Sequence, residues 1–92
     1  NTISDYKSAI VALDNFVADY PGTPYKEDAL YYKLDSAYQL AINSIPSKME
    51  ERLNVAKVAQ SNLIKFNAET KYKKVANEML VRIDKDLQKF TK

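Results

Sequence analysis

The chain has 92 residues, 46% of them hydrophobic, with one Gly, three Pro, no Cys, no His and a formal net charge of +2. That suits one small domain, which buries roughly 60–65% of the surface its unfolded form exposes. It excludes disorder and turn-rich all-β folds, and it removes disulfides, zinc–thiolate sites, thiol nucleophiles and the commonest general base. No apolar run approaches the roughly 18 residues of a membrane-spanning helix.

The absence of Cys leaves the redox compartment undetermined. The chain opens at Asn1 without an initiator Met or a charged-then-apolar leader, as a processed chain or an excised piece would. Charge is unevenly spread. Residues 1–45 carry three Lys against six Asp/Glu, and residues 46–92 carry eleven Lys/Arg against six Asp/Glu. Such polarity either orients a partner or marks a solvated face.

Helical periodicity runs almost throughout. Tyr6, Ile10, Leu13, Val17 and Tyr20 step by four, three, four and three, so a first helix is expected over about 4–20, ended by Pro21-Gly22 through a missing donor and a free φ. Thr23 then reads as an N-cap, with Pro24 at the first helical position and Glu27 and Asp28 in the first turn, complementing the dipole. The second helix is expected over about 24–44. Leu30, Leu34, Ala37, Ala41 and Ile45 form one stripe; Tyr31, Tyr38 and Ile42 form another, as in a helix with neighbours on two sides.

Ser47 followed by Glu50 has the form of a capping box, which predicts a third helix over about 48–66. Its buried side takes Met49, Leu53, Ala56, Ala59, Leu63, Ile64 and Phe66. After a break at 67–70, a fourth helix over about 71–89 aligns Tyr72, Ala76, Met79, Ile83 and Phe90, with Lys85 and Lys89 in its last turn.

The two main breaks resemble each other. TPYKEDA at 23–29 matches TKYKKVA at 70–76 in Thr, Tyr, Lys and Ala, an offset of 47 that also pairs Ala9 with Ala56. Just before the break, Val17–Tyr20 compares with Leu63–Phe66 at an offset of 46. One helix-turn-helix unit therefore occurs about twice. Small residues at fixed positions let helices approach closely and repeated aromatics fill the gaps, as in a helical solenoid. The period exceeds the 34 residues of the ordinary tetratricopeptide repeat, a surplus that longer helices explain. A plain four-helix bundle with a coincidental match is the alternative. In the repeat reading the first and third helices are outer, and the second and fourth line the concave side.

A helix ending A-x-x-x-L-x-x-F-x-x-x-Y-P, a short P-Y break, and a helix carrying Leu residues and an Ala-Tyr pair resemble the BamD family of outer-membrane assembly lipoproteins. The residues concerned are Ala9, Leu13, Phe16, Tyr20, Pro21, Pro24, Tyr25, Leu30, Leu34, Ala37 and Tyr38, followed by the stretch Ala41–Asn54, similar to versions in Bacteroidetes-type bacteria. Family members carry an acylated N-terminal lipobox Cys and around five repeats on a chain two to three times longer. The resemblance thus implies roughly the C-terminal third of such a protein. It implies a periplasmic scaffold, tethered to the outer membrane through a lipid anchor that this chain lacks, which helps a barrel-type insertase assemble β-barrel proteins. In the family, C-terminal repeats serve partner docking. The matching positions are packing and turn residues, so no functional residue carries over.

The residues themselves offer little reactive chemistry. Glu27-Asp28 and Glu50-Glu51 are adjacent carboxylates, which point about 100° apart on a helix and read as first-turn charges. One Gly rules out a Gly-rich phosphate loop, and no Ca²⁺-loop pattern occurs. No catalytic, cofactor-binding or metal-binding residue is assigned, and no small-molecule substrate is expected. Lys65, Lys71, Lys73 and Lys74 around Tyr72 mix cations with an aromatic as single-strand binders do. Tyr72 is the repeat counterpart of Tyr25, however, which points to packing and leaves nucleic acid a minor alternative.

Tyr31, Tyr32 and Tyr38 remain as candidate partner-binding residues. Three tyrosines on one helix cannot share one seam, and whichever is left open suits a protein contact; the alternative is that all three pack within the solenoid.

The expectation is an all-α, tetratricopeptide-like, right-handed superhelix of four antiparallel helices spanning 1–92. It is a non-enzymatic protein-binding scaffold of periplasmic, outer-membrane-associated location, with a generic tetratricopeptide module of another periplasmic or cytoplasmic complex as the rival. For an excised piece, the uncovered flank of the first helix is expected to promote self-association.

Overall fold

A computed structural model of the chain describes residues 2–90. Four α-helices follow one another: α1 Thr2–Asp19, α2 Lys26–Ile42, α3 Pro46–Phe66 and α4 Lys73–Leu87, the last running into a short 3₁₀ turn at Gln88–Phe90. Among the described residues there is no strand. Each helix packs on the next in the chain, and α2 also touches α4. The result is a flat slab of 42 × 30 × 16 Å, the all-α, tetratricopeptide-like arrangement expected from the repeat.

The core lies where α2, α3 and α4 meet. Leu34, Ala37, Tyr38 and Ala41 of α2, Leu53, Ala56, Ala59 and Leu63 of α3, and Ala76, Met79 and Ile83 of α4 form one buried cluster. The alanines matter as much as the leucines, because small side chains at the crossings let the helix axes come close. α1 stands apart, with no buried residue. Its stripe of Tyr6, Ile10, Leu13 and Val17 is only half-buried, since α2 covers one side of it, and Tyr20 is exposed.

The helix ends depart from expectation in instructive ways. Thr23 does not cap α2. Its hydroxyl oxygen accepts the Tyr25 N–H at 3.2 Å, and the Lys26 N–H reaches the Thr23 carbonyl at 3.3 Å, so a turn is completed before the helix begins. Tyr25 therefore holds the N-cap position without a side-chain cap, and Pro24 lies in the turn. The Ser47–Glu50 capping box does not form either. α3 starts earlier, with Ile45 extended at φ −66° and ψ 153° and Pro46 in the first turn. Proline's fixed φ and missing donor suit that place and hold the preceding residue extended, which puts Ser47 inside the helix. Ile45, expected in the α2 stripe, and Phe66, expected on the buried side of α3, are both exposed.

Gly22 is not used for left-handed backbone, since no described residue has a positive φ. The offset, too, is uniform. Tyr20 N–H bonds to the Phe16 carbonyl as Asn67 N–H bonds to that of Leu63, so 47 residues relate the units on both sides of the break. Tyr20 therefore corresponds to Asn67, and the match of Tyr20 with Phe66 at 46 does not hold.

Two outcomes follow for stability. Leu63→Ala, at a fully buried site, should cost about 2–5 kcal/mol in a denaturant titration. Gly22→Ala meets open space at its new Cβ and should be neutral or stabilising by about 0.4–1 kcal/mol in the same measurement.

Candidate functional site

The two hinges, 20–25 and 67–72, have the same backbone. Thr23 N–H bonds to the Tyr20 carbonyl at 3.0 Å and Thr70 N–H to that of Asn67 at 3.1 Å. Ala29 N–H reaches Tyr25 at 2.9 Å and Ala76 N–H reaches Tyr72 at 2.8 Å. The N-cap tyrosines sit at φ −94°, ψ 8° and φ −93°, ψ 6°. Thr70 accepts the Tyr72 N–H just as Thr23 accepts that of Tyr25.

What differs is the surroundings. The second hinge is a set of donors, and the first turn of α2 is its acceptor. The Glu27 carboxylate takes the Thr70 hydroxyl at 2.6 Å, the Asn67 amide at 3.2 Å and the Lys71 N–H at 3.3 Å. Asp28 takes the Tyr72 phenol and pairs with the Lys71 ammonium at 3.0 Å. The Tyr72 ring stacks flat on Tyr31, with centroids 4.1 Å apart and planes within 2°. Glu27 and Asp28 thus do more than complement a dipole: pointing apart, they grip two parts of one hinge.

Thr70 and then Asn67 hold the Glu27 carboxyl below its usual range, and the Tyr72 phenol followed by Lys71 does the same for Asp28. Asp28 in turn raises Lys71 and Tyr72. Burial, and then the nearby Asp35 and Tyr32, raise Tyr31.

This junction separates the three candidate tyrosines. Tyr38 is buried in the core and Tyr31 is half-buried against Tyr72, whereas Tyr32 is 54% exposed. Tyr32 borders an open groove of about 510 Å³ that Leu13, Phe16, Tyr25, Asp28, Lys71 and Tyr72 also line. Leu13, Phe16 and Tyr25 were not expected at such a site; their counterparts in the second unit are covered, and only that comparison marks them. Of the lysines around Tyr72, Lys71 pairs with Asp28 and Lys73 with Glu69 at 3.8 Å. A second groove of about 430 Å³ runs along Val55 and Val58 of α3. Among the described residues no group of three or more acidic side chains could hold a metal ion.

A family model described as outer membrane lipoprotein, YfiO, matches residues 2–90. The chain belongs to the YfiO family. That agrees with the BamD-like resemblance and with the tetratricopeptide-like fold, and the family is described as one of outer membrane lipoproteins. No curated protein and no solved structure gives a significant match. No helix among the described residues of this YfiO-family chain is long and apolar enough to cross a membrane.

The junction has a pH signature. Glu27 and Asp28 bind protons less readily in the fold than in the unfolded chain, so their stabilisation is whole above the ordinary carboxylate range and fades as pH falls below about 4.5. Tyr72 and Lys71 hold their protons more tightly in the fold, so their share is whole below about pH 10 and fades above it. Thermal melts across pH should show a plateau between these limits. Tyr72→Phe should reduce both declines, leaving the share of Lys71 on the alkaline side and those of Glu27 and the Asp28–Lys71 pair on the acid side.

Proposed function

We propose that the chain is a non-catalytic, protein-binding scaffold in the assembly of outer-membrane β-barrel proteins, and that the groove beside Tyr32 is its contact surface. Membership of the YfiO family supports the setting. The observation that carries the surface is the exposure of Tyr32 beside Leu13, Phe16 and Tyr25, a cluster of apolar and aromatic groups open to solvent on one side. Tyrosine offers large contact area for little lost freedom, which makes such a cluster a natural centre of binding energy. The junction holds the groove in shape by fixing Lys71 and Tyr72 on its far wall.

Photo-crosslinking in cells tests this reading. A crosslinker at Tyr32 should join the protein to a component of the β-barrel assembly machinery, and one at the more exposed Val81 of α4 should not. Adducts only with unrelated proteins or nucleic acid would defeat it. Tyr32→Ala should lower capture of that component about tenfold or more, as loss of a binding hot spot does, with the thermal midpoint little changed.

A further inference from the structure

Each outer helix carries a valine at the point farthest from the core. On α3 the buried Leu53, Ala56, Gln60 and Leu63 lie on one side, and at about 100° per residue Val58 stands opposite them. It is 59% exposed, and its counterpart 47 residues earlier, Val11 of α1, is 58% exposed. Open grooves of about 430 Å³ and 410 Å³ run beside the two. Valine is among the weaker helix formers, so helix propensity does not account for its place on either. Both helices pack on α2, and a slab 16 Å thick holds two helix layers, so α1 and α3 share one layer and present their valines on one face.

The stripe through Val58 reads alike in both directions. Glu51 lies seven positions before Val58 and Lys65 seven after; Asn54 lies four before and Asn62 four after. All four are exposed. Among the described residues, neither Glu51 nor Lys65 has an ion-pair partner. Turned end over end, the stripe meets itself with valine on valine, amide on amide and carboxylate on ammonium. An isologous two-fold contact requires such self-complementarity. We infer that this face pairs two copies of the chain, with α3 running antiparallel to α3 about Val58. The same rotation lays α1 along α1 beside that seam. Val11 then meets Val11, and Lys7, four positions before it, comes beside Asp14, three after, whose carboxylate also holds Lys33 at 2.6 Å.

Other occupants fit less well. An anionic lipid surface calls for a cationic flank, whereas here Glu51 balances Lys65 and Asp14 balances Lys7. An unlike protein gains nothing from a stripe that repeats itself when reversed. The face shares no lining residue with the groove beside Tyr32, so both can be occupied at once. Only the centre of each seam is apolar, which makes the dimer weak and reversible.

Sedimentation equilibrium of the chain, taken up to millimolar concentration, tests this. A monomer–dimer equilibrium is expected. Val58→Lys sets like charges together at the centre and should weaken it at least about tenfold, with no fall in the thermal midpoint, because the site is exposed. Glu51→Lys turns both flanking ion pairs repulsive and should weaken it roughly fivefold. Adding Lys65→Glu to that chain restores opposite charges and should return the affinity to within about twofold of the original. Tyr32→Ala should leave the dimer unchanged. The inference is overturned by a strictly monomeric chain at millimolar concentration or by a dimer indifferent to Val58→Lys. It is equally overturned if the double reversal fails to restore pairing, or if Tyr32→Ala abolishes the dimer and so places the contact in the other groove. None of these results bears on the Tyr32 crosslink, so the two readings stand or fall separately.

Discussion

The structure turns on a carboxylate pair meeting a hinge made of donors. A break between two helices leaves hydroxyls and N–H groups pointing outward, and they need acceptors. In the second hinge, Thr70, Asn67, Lys71 and Tyr72 find them in Glu27 and Asp28, two adjacent residues on the first turn of a helix 40 to 44 positions earlier. The contact fixes the start of α4 against the start of α2, and the Tyr31–Tyr72 stack sets their separation. Together with the packing of α3 on α2, this junction fixes how the second repeat lies on the first.

The same reasoning explains why the repeat is not symmetrical. Where α2 has acceptors and an apolar flank, α4 has Lys74, Val75 and a flank of Asp84, Lys85 and Gln88. Its other flank, with Ala76, Met79 and Ile83, is buried like that of any inner helix. Each end of a helical stack needs a surface that water tolerates. α4 meets that need with polar side chains, and α1 does not, since its hinge and the adjoining groove stay aromatic. The two ends of the slab therefore differ in surface, polar along α4 and aromatic beside α1.

Much of the fold was legible along the chain. Four helices, their order and the core positions Leu34, Ala37, Leu53, Ala56, Ala76, Met79 and Ile83 follow from periodicity, and the breaks follow from Thr, Pro and Tyr at matching places. The capping chemistry was misread because a Thr before Pro-Tyr can cap a helix or close a turn, and a Ser after Pro can start a helix or continue one; the backbone on both sides decides. Among the three tyrosines, spacing showed that one had to differ from the others but could not say which, because that depends on where α4 lands.

Local pattern is enough for helices, for the offset between units and for an inventory without reactive groups, since each rests on residues close in sequence. The roles of Glu27 and Asp28, the exposure of Tyr32 and the groove beside Leu13 and Phe16 were settled only by the fold. They depend on a contact between segments more than 40 residues apart, and on which flank of each helix a neighbour covers. No periodicity within one helix records that.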